Sequence, residues 1–137
     1  MAKTLKKLRI ESVMSNLRKV EHAIDEITAN LKIKQDNYGK ILVATLEAVN
    51  NAIKHGNRNN PEKTVDVVIS LNGNEMTIEV TDQGEGFDPA SVPDPTRPEN
   101  IEELSGRGIF LMSKLADSIS FNKIGNSVTM TFREIYS

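Results

Sequence analysis

The stretch "VTDQGEGFD", Val80 to Asp88, follows a strand-like alternation, "MTIEV" (Met76 to Val80). Met76, Ile78, Val80 and Asp82 share the parity of one strand face, so a carboxylate points the way the core residues point. Gly84 and Gly86 then remove side chains from the next turns. An ionised carboxylate on a core-side face is costly unless it is hydrogen-bonded. Glycines just after a strand let a planar or charged ligand approach the backbone. Taken alone, these two features read either as a plain turn or as a ligand site at the end of a strand.

Working outward, "VDVVISL" and "EMTIEVT" flank "NGN", which predicts a hairpin because Asn-Gly accepts positive φ. "SISFNK" and "SVTMTFREI" predict a second hairpin around "IGN". "KTLKKLRIES" reads as an opening strand suited to a sheet edge. Val13, Leu17, Val20, Ile24 and Ile27 recur at helical steps and predict a helix from Val13 to about Leu31, broken by "KQDNYG". A second helix is expected from about Tyr38 to His55, ending at Gly56. The prolines concentrate in "DPASVPDPTRPEN", a loop long enough to be functional, and "GRGIFLMSKLA" restarts a helix after it. This order predicts an α+β fold: a two-layer sandwich of one mixed, mostly antiparallel sheet with helices on one face.

The 137 residues suit one domain. With 17 basic and 19 acidic residues the formal charge is −2, which gives no global pull toward nucleic acid or an acidic membrane. There is no Cys, so disulfides and thiolate metal sites are excluded, and two His cannot by themselves make a zinc site. The N-terminal "MAKTLKKLRIES" lacks the apolar core of a secretion signal, and no apolar run is long enough to span a membrane. A cytoplasmic address is the expectation.

On the second helix, Leu42, Leu46, Val49 and Ile53 form an apolar stripe that Ala48 and Ala52 widen. Glu47, Asn51 and His55 stack at i, i+4 and i+8 on another line, beside Ala44. That line reads either as the wet face of a surface helix or as three groups addressing one ligand. "SGRGI" (Ser105 to Ile109) puts paired glycines and Arg107 at a helix start, where free N–H groups favour phosphate. No Walker loop is present, and neither glycine pair makes a dinucleotide fingerprint. In combination, Asp82 would accept from the exocyclic amino group of adenine and disfavour guanine. Asn51 offers a neutral oxygen to Mg²⁺, and Glu47 could accept a proton from an attacking hydroxyl or water.

"EAVNNAIKHG" (Glu47 to Gly56), "DQGEGFD" (Asp82 to Asp88) and "SGRGI" resemble, in order and spacing, the N box and two glycine boxes of the GHKL superfamily, whose shared architecture is the Bergerat fold. The length and wording are most similar to anti-sigma factor serine/threonine kinases of the RsbW type. The resemblance implies ATP and Mg²⁺ as cofactors, Glu47 as general base and Asn51 as metal ligand. It implies Asp82 as the adenine acceptor, with Gly84 and Gly86 shaping that pocket and His55 and Phe87 among the nucleotide-binding residues. It implies Gly106, Arg107, Gly108 and Ile109 at the phosphates, and a lid over about residues 88–105. Arg107 could instead serve partner binding. "GNSVT" departs from the family's usual Gly-Thr, with Ser127 standing in for the hydroxyl that supports the adenine site. The implied partners are a sigma factor and an anti-anti-sigma protein of the STAS type, with a homodimer as the assembly and no direct nucleic-acid or membrane contact. The alternatives are a detached histidine-kinase catalytic domain, or a nucleotide-gated switch with little turnover. His22, on the first helix, reads as a solvent-facing residue.

Overall fold

Three apolar/polar alternations build the centre of the sheet: β2 (Thr64–Asn72), β3 (Glu75–Thr81) and β5 (Ser127–Phe132). The computed structural model describes residues 2–84, 111–122 and 126–136. Every second residue of these strands faces inward: Val65, Val67 and Ile69, then Met76, Ile78 and Val80, then Val128, Met130 and Phe132 are all buried. Outside them lie β1 (Lys3–Glu11) and β4 (Ser118–Phe121). The five strands are ordered β1-β2-β3-β5-β4, and every described pairing is antiparallel.

The β2–β3 hairpin closes on two residues, since Asn72 pairs with Glu75. Gly73 has φ +64 and Asn74 does not have positive φ. Positive φ at the first central residue alone is the type II′ pattern, with Gly73 at the position that requires it. The opening strand is at the sheet edge as expected. Arg9 donates Nε and Nη2 hydrogen bonds of 2.8 and 3.1 Å to Asp66 opposite it on β2. This pair is exposed, so it marks register more than it adds stability.

Two helices cover the apolar face of the sheet. In α1 (Leu17–Leu31), Val20, Ala23, Ile24, Ile27 and Thr28 are buried, and the Thr28 hydroxyl is satisfied by the Ile24 carbonyl at 2.8 Å. The expected start at Val13 is corrected: Val13 is exposed, and a 3₁₀ turn over Met14–Asn16 precedes the helix. The break is earlier than "KQDNYG" too. Lys32 adopts a left-handed φ of 55°, Ile33 N–H reaches the Thr28 carbonyl and Lys32 N–H the Ala29 carbonyl. That is the Schellman closure, and it leaves Lys34 free to start α2 (Gln35–Asn51) at once.

α2 carries Ile41, Ala44, Thr45, Ala48 and Val49 as its buried residues. Its buried stripe is therefore rotated from the expected one: Leu42 and Leu46 pack only at the margin, while Ala44 is fully buried. The physical reason is that α2 contacts both α1 and the sheet, and the small Ala44 and Ala48 permit close approach on that side. Each fully buried Ile or Val of this core contributes about 1.5–3 kcal/mol, so the interleaved inner face outweighs any surface pair. Residues 111–115 are helical and bring Met112 and Ala116 into the same core.

Lys32 occupies a conformation that suits glycine. Lys32→Gly should raise unfolding free energy by about 0.5–1 kcal/mol in urea titration. A lower midpoint would mean that the lysine stem, not backbone geometry, sets stability there.

Candidate nucleotide site

The second helix does not run regularly to His55. α2 ends at Asn51, and Ala52–Gly56 form a π turn, closed by Asn57 N–H donating to the Ala52 carbonyl at 2.8 Å. Asn59 N–H reaches the Ile53 carbonyl at 2.8 Å, with Arg58 and Asn59 both at positive φ. π turns inside helices recur at functional sites because the wider turn re-aims the backbone. Here it brings Gly56 against the end of β3. Glu47 and Asn51 keep their shared α-helical line, both half-buried, and the line projected on to His55 changes phase at the π turn.

Asp82 follows β3 directly and lies against Gly56. A Cβ built on Gly56 would stand 2.3 Å from the Asp82 Cγ and Oδ2. A Cβ on Gly84 would stand 2.1 Å from the Gly56 carbonyl oxygen. Neither glycine has positive φ, so space rather than backbone conformation requires them. Gly84 N–H donates to Asp82 Oδ1 at 2.7 Å, and Oδ2 has no partner among the described residues. Asp82 N–H donates to the Asn126 carbonyl at 2.9 Å, and Asn126 Nδ2 returns a bond to the Asp82 carbonyl at 3.3 Å.

Ser127 lies at the start of β5, one residue after the Asn126 that bonds the Asp82 backbone. Its Oγ is 2.8 Å from Thr81 Oγ1, and Thr81 pairs with it across β3 and β5. Both have the opposite parity to Val80 and Val128, so this hydroxyl pair is on the far face of the sheet from the core. Asn126, one residue earlier, is the neighbour of Asp82. Gly86, Phe87, Gly106, Arg107, Gly108, Ile109 and the lid at about 88–105 lie outside the described residues.

One group escaped the sequence reading altogether. Asn57 is 1% exposed. Its Nδ2 donates to Ser12 Oγ at 2.7 Å and to the Thr64 carbonyl at 3.0 Å, and its Oδ1 accepts from Gln83 N–H at 2.8 Å. Ser12 Oγ donates in turn to the Lys63 carbonyl at 2.8 Å, and Thr64 N–H donates to Gln83 Oε1 at 2.8 Å. The exits of β1 and β3, the entry of β2 and the end of the second helix are thereby fastened at one corner. The polar content of "NRNNPEK" gives a turn signal only, and nothing in it marks the first Asn as buried.

Electrostatics follow from the burial. Partial burial pushes the Asp82 carboxyl up from the ordinary aspartate range, against the smaller opposing effects of the Gly84 N–H and the Lys63 charge. Burial, and then the Lys54 charge, hold His55 below the ordinary histidine value, so its imidazole is neutral at pH 7. No cluster of three or more His, Asp or Glu that could cage a metal occurs among the described residues.

A carboxyl whose folded pKa is raised binds its proton more tightly in the folded state. Stability therefore declines as pH rises from the unfolded to the folded pKa, and the cost of the buried charge is fully present above both. Asp82→Asn removes the charge and keeps an oxygen for Gly84 N–H. The variant should melt higher than the parent at pH 7, and the gap should close as pH falls through that window. A variant that melts lower at pH 7 would mean the carboxylate is held by net favourable contacts.

Comparison with known proteins shows the family. The model of the histidine kinase-like ATPase domain matches residues 10–132. An anti-sigma F factor of Oceanobacillus iheyensis is 32% identical over 130 residues, covering 90% of this chain and 88% of that one. An anti-sigma F factor of Clostridium botulinum is 32% identical over 101 residues, covering 71% and 69%. The serine-protein kinase RsbW of Oceanobacillus iheyensis is 30% identical over 86 residues, and the match spans 54% of its length. The fold also matches the crystal structure of the RsbU and RsbW domains of a Mycobacterium tuberculosis protein, with a TM-score of 0.65 at 19% identity, over 94% of this chain and 32% of that one. The chain belongs to the histidine kinase-like ATPase domain family, with the GHKL-type α+β fold.

Proposed function

We propose that the chain is an ATP-dependent serine/threonine protein kinase that acts as an anti-sigma factor. It binds a sigma factor, phosphorylates a STAS-type antagonist and works as a homodimer. The observation that carries the nucleotide reading is the Asp82 carboxylate seated on Gly56, with Oδ1 held by Gly84 and Oδ2 unpartnered among the described residues. An acceptor fixed in that way suits the amino group of adenine. The names of the curated relatives support the kinase and anti-sigma parts.

Phosphoryl transfer needs positioning and charge neutralisation more than covalent help from the protein. In this reading the antagonist's hydroxyl oxygen attacks the γ-phosphorus, the bond to the β-phosphate oxygen breaks, ADP leaves and Glu47 takes the hydroxyl proton. Asn51, one turn on from Glu47, presents a neutral oxygen toward the phosphates. The neutral Asn51 oxygen suits Mg²⁺, which keeps waters and takes phosphate oxygens for its remaining positions. When bound there, Mg²⁺ supplies neutralisation of the phosphate charge.

Labelled ATP with a candidate STAS-type antagonist should yield label that survives acid. Label that acid removes would assign the chain as a histidine-kinase catalytic domain, and ATP binding without transfer would leave a nucleotide-gated switch. Glu47→Ala should retain ATP affinity and lose transfer by about 10²–10⁴-fold, and Asn51→Ala should lose Mg²⁺-dependent ATP binding. Undiminished transfer in Glu47→Ala would remove the base assignment.

A further inference from the structure

We propose that Asn57 is the positioning residue of the base pocket: it holds the backbone that aims Asp82, and the preference for adenine over guanine depends on it. The proposal rests on the reading of Asp82 as the adenine acceptor. It concerns a residue outside the three motifs that carry the family resemblance.

The chain supplies Asn57 with one place to act. Asn57 follows Gly56, on whose Cα the Asp82 carboxylate rests. Its Oδ1 takes the N–H of Gln83, the residue between Asp82 and Gly84. Each end of this bond is thus one residue from a member of the Gly56, Asp82 and Gly84 contact. Gln83 is pinned twice, since its own Oε1 also accepts from Thr64 N–H at 2.8 Å, beside the Thr64 carbonyl that Asn57 Nδ2 uses.

The direction of Asp82 Oδ2 is set by this pinned backbone, because Oδ1 is already taken by Gly84 N–H at 2.7 Å. The contact has no slack to absorb a shift. A Cβ at Gly84 would already stand 2.1 Å from the Gly56 carbonyl oxygen. Small movements of the 82–84 backbone therefore turn Asp82 Oδ2 away from a base rather than being taken up elsewhere. A side-chain amide is suited to the task. It accepts from one strand end and donates to two other segments at once, and no apolar residue of its size could satisfy those groups. Ser12 completes the arrangement from the exit of β1, where its N–H and Oγ both donate to the Lys63 carbonyl, at 3.0 and 2.8 Å.

Loss of a purely structural residue would lower stability or weaken all nucleotides together. Loss of a residue that aims Asp82 should instead act on the base. The test titrates full-length parent, Asn57→Ala and Ser12→Ala with fluorescent ATP and GTP analogues, alongside thermal melts. The parent should prefer ATP. In Asn57→Ala the ATP Kd should rise about tenfold, the loss of one aimed hydrogen bond to a charged group, while the GTP Kd stays within about twofold. Ser12→Ala removes one acceptor of the Asn57 amide and should show the same selective loss, about threefold. It keeps the test decisive if Asn57→Ala does not melt cooperatively. A folded variant that keeps the parent's preference, or that loses ATP and GTP affinity equally, would overturn the role of Asn57. A parent that shows no preference would instead overturn the reading of Asp82, and this proposal with it.

Discussion

A single buried amide decides how the strand ends and the helix end of this protein meet. The Asn57 side chain touches Ser12, Thr64 and Gln83, which lie 45, 7 and 26 residues away along the chain. In the low dielectric of the interior such bonds are strong when complete and costly when broken. Removal of the amide would strand the Gln83 N–H and the Thr64 carbonyl away from their partner. The apolar core holds the sheet and helices together. This corner sets their registration at the end where Asp82 emerges.

The same constraint explains why the site can carry an awkward charge. The protein accepts a carboxylate with a raised pKa, half-buried at a strand end, a position where stability alone would favour a neutral group. Desolvated carboxyls of this kind cluster at functional sites. Gly56 and Gly84 serve the carboxylate by their lack of a side chain, and the π turn delivers Gly56 to it. The neutral His55 on that turn adds no positive charge at pH 7, so it does not compensate Asp82.

Much of this was legible in the residues. The hairpin of β2 and β3 was, because period-2 alternation and a glycine turn are both local signals. Asp82 was legible because parity alone gave its face. The second helix ends at Gly56 as expected, but the π turn over its last residues was not legible. A continuous 3.6-residue count runs smoothly through His55, whereas the π turn is fixed by contacts with strands from elsewhere in the chain. Asn57 was hidden for a related reason: an Asn in a polar loop is the usual mark of an exposed turn, and its burial depends on Ser12 and Gln83. Gly106, Arg107 and Gly108 lie outside the described residues.

The position of β1 has a consequence for the order in which the molecule is made. β1 pairs with β2 across a separation of about sixty residues, and Ser12 at its exit reaches Asn57. Closing so long a loop costs chain entropy before any contact returns it. The hairpins and helices can form from neighbouring residues. The corner that aims Asp82 exists only after the first strand has come back to the sheet edge. The polar corner beside Asp82 should therefore be a late product of folding, and loosening of the first strand alone should weaken it while most of the core stays intact.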